Sequence, residues 1–244
     1  CIDQYPFTIL YNVYRDNELY IENLLQTFYT DSNLGYDENH CYSITATDGE
    51  NESNNSEIEC ASTNPSFVMS DSLTLVTIYN STNGNQWEDN SGWLTEEPFC
   101  SWFRVTCENE RVVAINLGGN ELSGEIPLEI GNLTELTSLR LSYNDIGGTI
   151  PVSIGNLDLL EILDLSYNYI GGNIPSEIGN LVNLEYFESA VNDHIGEIPP
   201  EIGQLTNLTL LELWNNEMTG PLPSELGDLV ALERLWLTGN NFSG

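Results

Sequence analysis

The chain has 244 residues, of which 40% are hydrophobic, which is enough apolar material for one or two packed cores. Its 38 acidic residues stand against 5 basic ones, so the formal net charge is -33. Such a field repels phosphate backbones and excludes nucleic acid as a partner. No apolar run approaches the roughly 18 residues of a membrane span, so no membrane insertion is expected within this segment.

Residues 1–63 are predicted to form short strands separated by turns. Apolar and polar residues alternate over 11–14, and further short strands are read at 28–30, 41–46 and 58–61, with turn residues between these runs. That spacing predicts a partial all-β sandwich. The tyrosine-bearing segments 11–16, 29–31 and 42–46 resemble a fibronectin type III module of bacterial surface proteins. The resemblance implies a spacer or adhesion unit, with its first two strands expected upstream of Cys1.

Five cysteines form two close pairs, Cys41 with Cys60 and Cys100 with Cys107, and leave Cys1 over. Two local disulfides are the simplest arrangement, although five buried thiols are the alternative. Disulfides would place the chain in an oxidising compartment, either extracellular or at the cell surface. The chain opens at Cys1 without a visible signal peptide, so we expect a start that has been cut.

Residues 64–110 are predicted to form a linker and a helical cap. Ser70 and Asp71 can cap a helix that runs through Leu73, Val76 and Tyr79. Bulky tryptophans at 87 and 93 follow the helix and can cover the open end of a repeat array.

A strict repeat of 24 residues dominates 111–244 and predicts six stacked units. The repeating asparagines are Asn120, Asn144, Asn168, Asn192, Asn216 and Asn240. Pairs of leucines in each unit indicate a short strand with one buried face, and the following Gly and Ile-Pro force an irregular return. The asparagine amide can donate and accept at once, so a stack of these residues can satisfy the backbone of a bend. Single units cannot bury their leucines, whereas stacked neighbours can.

The pattern over 136–157 resembles the plant-type leucine-rich repeat. The resemblance implies a mixed fold, in which a solenoid with a parallel β-sheet and short helical or irregular returns follows the partial sandwich. Residues 99–107 are similar to the Cys-x-Trp-x-x-Val-x-Cys element of the N-terminal cap of such arrays, whose cysteines pair. One unit departs from the pattern, because Ser189 replaces a core leucine and is expected to loosen that repeat. The chain stops in mid-repeat at Gly244, so further repeats or a C-terminal cap are expected.

Residues for catalysis are scarce in this sequence. His40 and His194 are interpreted as surface or edge residues, and no metal-ligand spacing, phosphate loop or nucleophile motif is present. Residues 48–52 would hold a calcium ion only weakly. No catalytic residue, metal or cofactor is therefore predicted, and the chain is not expected to be an enzyme.

The side chains between the core leucines point away from the core, towards a concave face. Three acidic residues line up there in successive units, flanked by aromatic residues that can anchor a partner. The predicted ligand-binding residues are Arg140, Tyr143, Asp164, Tyr167, Tyr186, Glu188, Glu212, Trp214 and Trp236.

The sequence therefore favours an extracellular or cell-surface recognition or adhesion module that binds a protein or glycan on the concave face. One alternative is a self-associating structural component of an extracellular matrix or filament. Another is a non-catalytic region of a larger surface hydrolase or receptor kinase. Six Asn-x-Ser/Thr triplets are possible glycosylation sites, namely Asn51, Asn54, Asn80, Asn132, Asn207 and Asn241.

Overall fold

The computed structural model describes residues 10–24, 39–47, 51–62 and 67–243. Residues 1–66 and 67–244 form two compact units, and each is described by itself.

The first unit contains a four-stranded antiparallel sheet. Its strands are β1 (Leu10–Arg15), β2 (Glu18–Leu24), β3 (Asn39–Thr47) and β4 (Glu59–Ser62), in the spatial order β2-β1-β3-β4. Asp16 and Asn17 form the first hairpin turn with positive φ angles of 55° and 70°. The sequence pattern missed β2, and the strand predicted over 28–30 lies outside the described residues. The described residues form one sheet, so the sandwich and its fibronectin type III likeness stay predictions.

A disulfide joins the two strands at one edge of this sheet. Cys41 in β3 lies directly opposite Cys60 in β4, and their sulfur atoms are 2.08 Å apart. Glu52 accepts hydrogen bonds from Asn12, Tyr14 and Thr45. This carboxylate, which belonged to the weak calcium segment, is therefore already bonded to side chains of β1 and β3.

The second unit begins with helix α1 (Phe67–Ser81), and its start differs from the sequence prediction. Ser70 and Asp71 lie inside the helix rather than at its cap. Asp71 is fully buried and accepts hydrogen bonds from the Arg111 side chain and the Val112 N–H. The buried helix face consequently carries Asp71 and neighbours such as Leu75 and Ile78, while Leu73 is 62% exposed.

Short strands then follow in every unit of the repeat. In chain order they are β5 (Val105–Glu108), β6 (Arg111–Asn116), β7 (Ser123–Glu125), β8 (Ser138–Arg140), β9 (Asp145–Gly147), β10 (Ile162–Asp164), β11 (Gly171–Gly172), β12 (Tyr186–Glu188), β13 (Asp193–Gly196), β14 (Leu210–Glu212), β15 (Glu217–Gly220), β16 (Arg234–Trp236) and β17 (Asn241–Phe242). The principal sheet has seven strands in the order β16-β14-β12-β10-β8-β6-β5, parallel except for the β5–β6 pair.

The return path of each unit is a second short strand followed by a 3-10 helix. The second strands form a four-stranded sheet, β11-β13-β15-β17, and a two-stranded one, β7-β9. The returning helices are Leu128–Asn132, Val152–Asn156, Ser176–Asn180, Pro200–Gln204 and Ser224–Asp228, each beginning just after a proline. Proline fixes an extended backbone just before each return and so sets the residue at which the helical turn begins.

The repeated asparagines form a buried ladder between neighbouring units. Asn168 Oδ1 accepts the Ile146 N–H at 3.0 Å, and its Nδ2 donates to the carbonyls of Leu141 and Leu165. The same pattern holds for Asn144, Asn216 and Asn240. Asn192 keeps it except that its Nδ2 donates to the Ser189 hydroxyl instead of that residue's carbonyl, while Asn120 bonds the backbone of Asp89. These amides satisfy backbone groups at the bends, where no strand partner is available.

The core is a continuous stack of leucines and isoleucines that runs from the helix to the fifth unit. Three tryptophans close it near the helix, with Trp87 and Trp93 in edge-to-face contact at 4.9 Å and Trp102 tilted against Trp93. The Cys100–Cys107 disulfide joins the cap to β5. The sixth unit is an exception to the predicted sealed core, since Leu235 is 41% exposed.

Repeat four compensates for its missing leucine in a way the sequence prediction did not anticipate. Ser189 and His194 are both fully buried, and the hydroxyl lies 2.7 Å from His194 Nε2. The interpretation of His194 as a surface residue was therefore wrong. His194 occupies the position that Ile146 and Ile170 hold in the preceding units, so it points into the core, where its ring contacts the Ser189 hydroxyl.

Candidate functional site

Three carboxylates lie side by side on the solvent-facing side of the principal sheet. Asp164 pairs with Glu188, and Glu188 with Glu212, on the parallel strands β10, β12 and β14. Parallel strands stand about 4.8 Å apart, so the three side chains form a column, here named the acidic ladder. Like charges in register destabilise a sheet, and their presence here calls for a compensating role.

The middle carboxylate of the acidic ladder, Glu188, has the fewest groups that stabilise its negative charge. Burial raises the pKa of Glu188, and the negative charges of Asp164 and Glu212 raise it further. Arg140 and Arg234 act in the opposite direction but more weakly. The Glu188 carboxylate makes no hydrogen bond or ion pair with any residue in the described part of the chain. By contrast, Asp164 accepts the Ser142 hydroxyl at 2.6 Å, and Glu212 accepts the Trp214 indole N–H at 3.2 Å.

Three aromatic side chains form a cluster beside the acidic ladder. The rings of Tyr143 and Tyr167 are stacked with centroids 4.3 Å apart and an angle of 11°. Trp214 contacts the other side of Tyr167 edge-on at 5.9 Å. Trp214 comes from two units further along, and it reaches Tyr167 past Ala190, whose small side chain leaves room. We call these three residues the aromatic cluster.

The tyrosines of the aromatic cluster have left-handed backbones. Their φ angles are 58° and 56°, and the equivalent positions of the other units, Gly119, Val191, Asn215 and Gly239, also have positive φ. Left-handed conformations favour Gly or Asn and cost other residues of order 1 kcal/mol or more. Tyrosine thus stands at two positions where glycine would be less strained.

The other predicted ligand-binding residues also lie on this side of the principal sheet. Arg140 is the β8 neighbour of Asp164, and Trp236 is the β16 neighbour of Glu212 and is 49% exposed. Tyr186 lies between Ile162 and Leu210 in the adjacent column. The structure therefore brings all nine predicted residues onto one surface.

Sequence reasoning missed two features of this surface. Ser142 was not singled out, although its hydroxyl holds Asp164. Gly119 was not recognised as the position that corresponds to Tyr143 and Tyr167 in the first repeat and carries no side chain. The 24-residue spacing that aligns Gly119 with Tyr143 and Tyr167 was the available signal, because glycine at two of the six positions indicates a left-handed bend.

Over the described ranges, no group of three or more His, Cys, Asp or Glu residues could hold a metal ion. In the same part of the chain, no helix is both long enough and apolar enough to cross a membrane. His40 lies 2.5 Å from Asp16 in the first unit, and His194 is enclosed in the core.

The possible glycosylation sites are all exposed, and none belongs to the acidic ladder or the aromatic cluster. These residues are Asn51, Asn54, Asn80, Asn132, Asn207 and Asn241. Asn207 donates from Nδ2 to the Val182 carbonyl at 2.9 Å, so a glycan there would displace a hydrogen bond.

Solved structures of known proteins resemble this chain over most of its length. The LRR ectodomain of the plant membrane receptor kinase GASSHO1/SCHENGEN3 from Arabidopsis thaliana, solved in complex with CASPARIAN STRIP INTEGRITY FACTOR 2, is 39% identical with a TM-score of 0.67. That match covers 70% of this chain and 21% of the receptor chain. A chain of the BIR3–SERK2 complex from Arabidopsis thaliana is 32% identical with a TM-score of 0.59, over 71% of this chain and 95% of that one.

A curated relative and a family profile complete the comparison. The LRR receptor-like serine/threonine-protein kinase EFR of Arabidopsis thaliana is 46% identical over 57 residues, which are 22% of this chain and 6% of the kinase. The chain thus matches only a small part of that relative's length. The profile of the leucine-rich repeat region matches residues 105–238, more than half of the chain. Since this match coincides with the stacked units and their asparagine ladder, the chain belongs to the leucine-rich repeat family.

Proposed function

We propose that the second unit of the chain, which carries the repeats, is an extracellular recognition module. It binds a protein or peptide partner on the exposed face of the principal sheet. The observation that carries the proposal is the combination of a half-buried Glu188 carboxylate without a partner and two stacked tyrosines, Tyr143 and Tyr167, held in left-handed backbones. Both features cost stability in the free chain. Each would be compensated by a partner that supplies positive charge and apolar contact.

Two further findings support an extracellular protein partner. The Cys41–Cys60 and Cys100–Cys107 disulfides are typical of oxidising compartments. The similar ectodomains were solved in complex with CASPARIAN STRIP INTEGRITY FACTOR 2 and as the BIR3–SERK2 pair. On this reading the chain is a non-catalytic part of a larger receptor-like protein, and the first unit acts as a spacer or adhesion module.

A glycan partner is the second candidate, because stacked tyrosines beside carboxylates also suit sugar rings and their hydroxyls. Self-association into a filament or matrix is the third. Both candidates would use the same exposed face as the proposed protein partner. One set of variants can therefore distinguish the three functions.

The test uses the whole purified chain against a peptide display library and a glycan array. We expect enrichment of peptides, with binding weakened at least about tenfold by Glu188→Gln or Trp214→Ala. Glu217→Gln is the matched control, since it removes an exposed carboxylate from β15 in the other sheet. Selective glycan binding that depends on Trp214 would replace the leading proposal by the second. Concentration-dependent polymers in light scattering, lost with the same variants, would replace it by the third.

A further inference from the structure

The stack of tyrosine rings on the principal sheet is open at one end. Tyr143 covers one face of Tyr167, and Trp214 closes the opposite side of Tyr167. The outer face of Tyr143 is free, and the residue is 63% exposed. Of the three rings, Tyr143 therefore presents a face that a partner can cover.

The position next to Tyr143 in the column is Gly119, which supplies no ring. Its N–H bonds the Ser142 carbonyl at 2.8 Å, as the Tyr143 N–H bonds Ser166, so the two positions are equivalent in register. Its φ of 62° matches the 58° of Tyr143. A Cβ added at Gly119 would have no atom within 4 Å, so the space above it is empty. We name this space, bounded by Gly119 and the Tyr143 ring, the slot.

The slot has the dimensions of one further ring in the existing stack. Successive units bring equivalent positions about 4.8 Å apart, and the two tyrosine rings already stack at 4.3 Å. A planar group over Gly119 would therefore lie at stacking distance from Tyr143 without moving the chain.

The charges around the slot determine where a positively charged group of the same ligand can lie. Arg104 donates to the Gly118 carbonyl at 2.6 Å, so a guanidinium borders the slot and disfavours a ligand cation there. The acidic ladder begins further along the repeat axis, and Glu188 lies three strand steps from the slot, about 14 Å along that axis, in the column of Asn116, which precedes Gly119 by three residues. An extended chain covers this distance in about four residues or slightly more. A positive group is complementary to Glu188 and an aromatic group to the slot.

On this basis we infer that the partner contributes an extended peptide segment whose aromatic side chain fills the slot and stacks on Tyr143. A lysine or arginine at least about four residues away lies over Glu188 between Asp164 and Glu212. This inference rests on the proposed function, because it specifies the partner of the same exposed face. It narrows the partner to a cationic segment with an aromatic residue at a defined spacing.

The experiment titrates the whole chain with an acetylated peptide, Trp-Gly-Ser-Gly-Lys amide, and follows both molecules by NMR. We expect upfield shifts of the peptide indole protons, because the ring stacks on Tyr143, and a matching shift of the Tyr143 ring protons. Replacing the peptide Trp by Leu, or placing Lys next to Trp, should weaken binding at least about tenfold.

Two variants of the chain test the slot itself. Gly119→Tyr fills the slot with the chain's own ring, in a backbone conformation that tyrosine already adopts at 143 and 167. Tyr143→Ala removes the wall. Both should abolish the preference for Trp over Leu, whereas Tyr169→Ala, an equally exposed tyrosine outside the column, should leave it unchanged.

Several outcomes would overturn the inference. Gly119→Tyr could bind the Trp peptide as tightly as the unmodified chain, or methyl β-glucoside could shift Tyr143 while the peptide does not. Absence of any Tyr143 shift at 10 mM peptide would count equally against it. Because the peptide comparison needs no variant, a folding failure of Gly119→Tyr would not hide the answer. Library peptides that depend on Glu188 but ignore Gly119→Tyr would reject the slot and leave the proposed function standing.

Discussion

His194 shows how a single residue makes the stability of the repeat depend on pH. Burial lowers its pKa from 6.5 to about 4, although the backbone of Gly171 and Gly172 favours the protonated ring. Nδ1 has no hydrogen-bond partner, whereas Nε2 lies beside the Ser189 hydroxyl. The neutral ring is thus retained in the folded state, while the unfolded chain takes up a proton near pH 6.5.

We therefore predict an acid-sensitive contribution from His194. The depressed pKa means that stability is fully present above pH 6.5 and falls as pH drops towards 4, because the unfolded state binds the extra proton. The loss is of order 3 kcal/mol across this window. Urea unfolding at pH 7 and pH 4 measures it against the double variant Ser189→Leu with His194→Ile, which restores the apolar pair of the other units.

The double variant is also the control, because it keeps every carboxylate of the unmodified chain and therefore their contribution to the pH dependence. The difference in unfolding free energy between the two chains should widen as pH falls. Parallel pH profiles would show that His194 is not the titrating group.

At the scale of the element, the returning 3-10 helices fix how closely successive units stack. Gly155 lies where an added Cβ would approach the Glu177 carbonyl oxygen to 2.6 Å, and Gly131, Gly179 and Gly203 face the next return in the same way. Backbone atoms cannot yield as a flexible side chain can, so glycine is required for this spacing. The equivalent Gly227 meets no atom within 4 Å, because residues 67–243 contain no return after Ser224–Asp228.

This contrast gives a matched pair of substitutions. We predict that Gly155→Ala lowers the free energy of unfolding by about 1–3 kcal/mol, because adjacent returns must move apart. Gly227→Ala should change it by less than about 1 kcal/mol, and in the stabilising direction, since alanine restricts the unfolded chain. Chemical denaturation of both variants measures the two changes. Equal destabilisation would contradict the role of close stacking.

The buried ion pair at the start of the array is another feature of the element scale. Asp71 links helix α1 to β6 through the Arg111 side chain and the Val112 N–H. The sequence favoured a cap because aspartate is common at N-caps, whereas it is rarely fully buried unless a partner is provided. The partner, 40 residues away, became visible only when the helix packed on the sheet.

For the whole molecule, charge is the dominant property. A net charge of -33 opposes the compact state through self-repulsion, and salt screens charges that are further apart than the Debye length. The acidic ladder concentrates part of this repulsion on the face proposed to bind a partner. Screening should consequently stabilise the fold and weaken the capture of a cationic peptide.

We predict that the Tm at pH 7 rises by about 2–4 °C, equivalent to about 1 kcal/mol, when NaCl increases from 10 to 500 mM. The rise should be smaller at pH 4, where carboxylates begin to take up protons. Differential scanning calorimetry under the four conditions measures both effects. A rise of the same size at pH 4 would indicate a salt effect other than the screening of carboxylates.

The sequence by itself determined the period of the repeat, the leucines of the core, the asparagine ladder and the column that contains Asp164, Glu188 and Glu212. These features are local or periodic, so a spacing of 24 residues carries them into three dimensions without further information. It could not determine the true start of helix α1, because Asp71 depends on Arg111, 40 residues away. It also missed the strand β2, which pairs with the adjacent β1, because its residues do not alternate strictly. The surroundings of His194 were missed because Ser189 and His194 both depart from the repeat on which the interpretation relied.

Only the tertiary structure decided which side chains contact one another across the repeats. Ser189 and His194 each violate the repeat, and only their contact in the core shows that one exception compensates the other. In the same way, Gly119 is unremarkable in the sequence, and the empty space beside Tyr143 exists only because stacked units bring the two positions to ring-stacking distance. Periodicity fixes where side chains lie, whereas packing between units decides which of them have partners and which are left for another molecule.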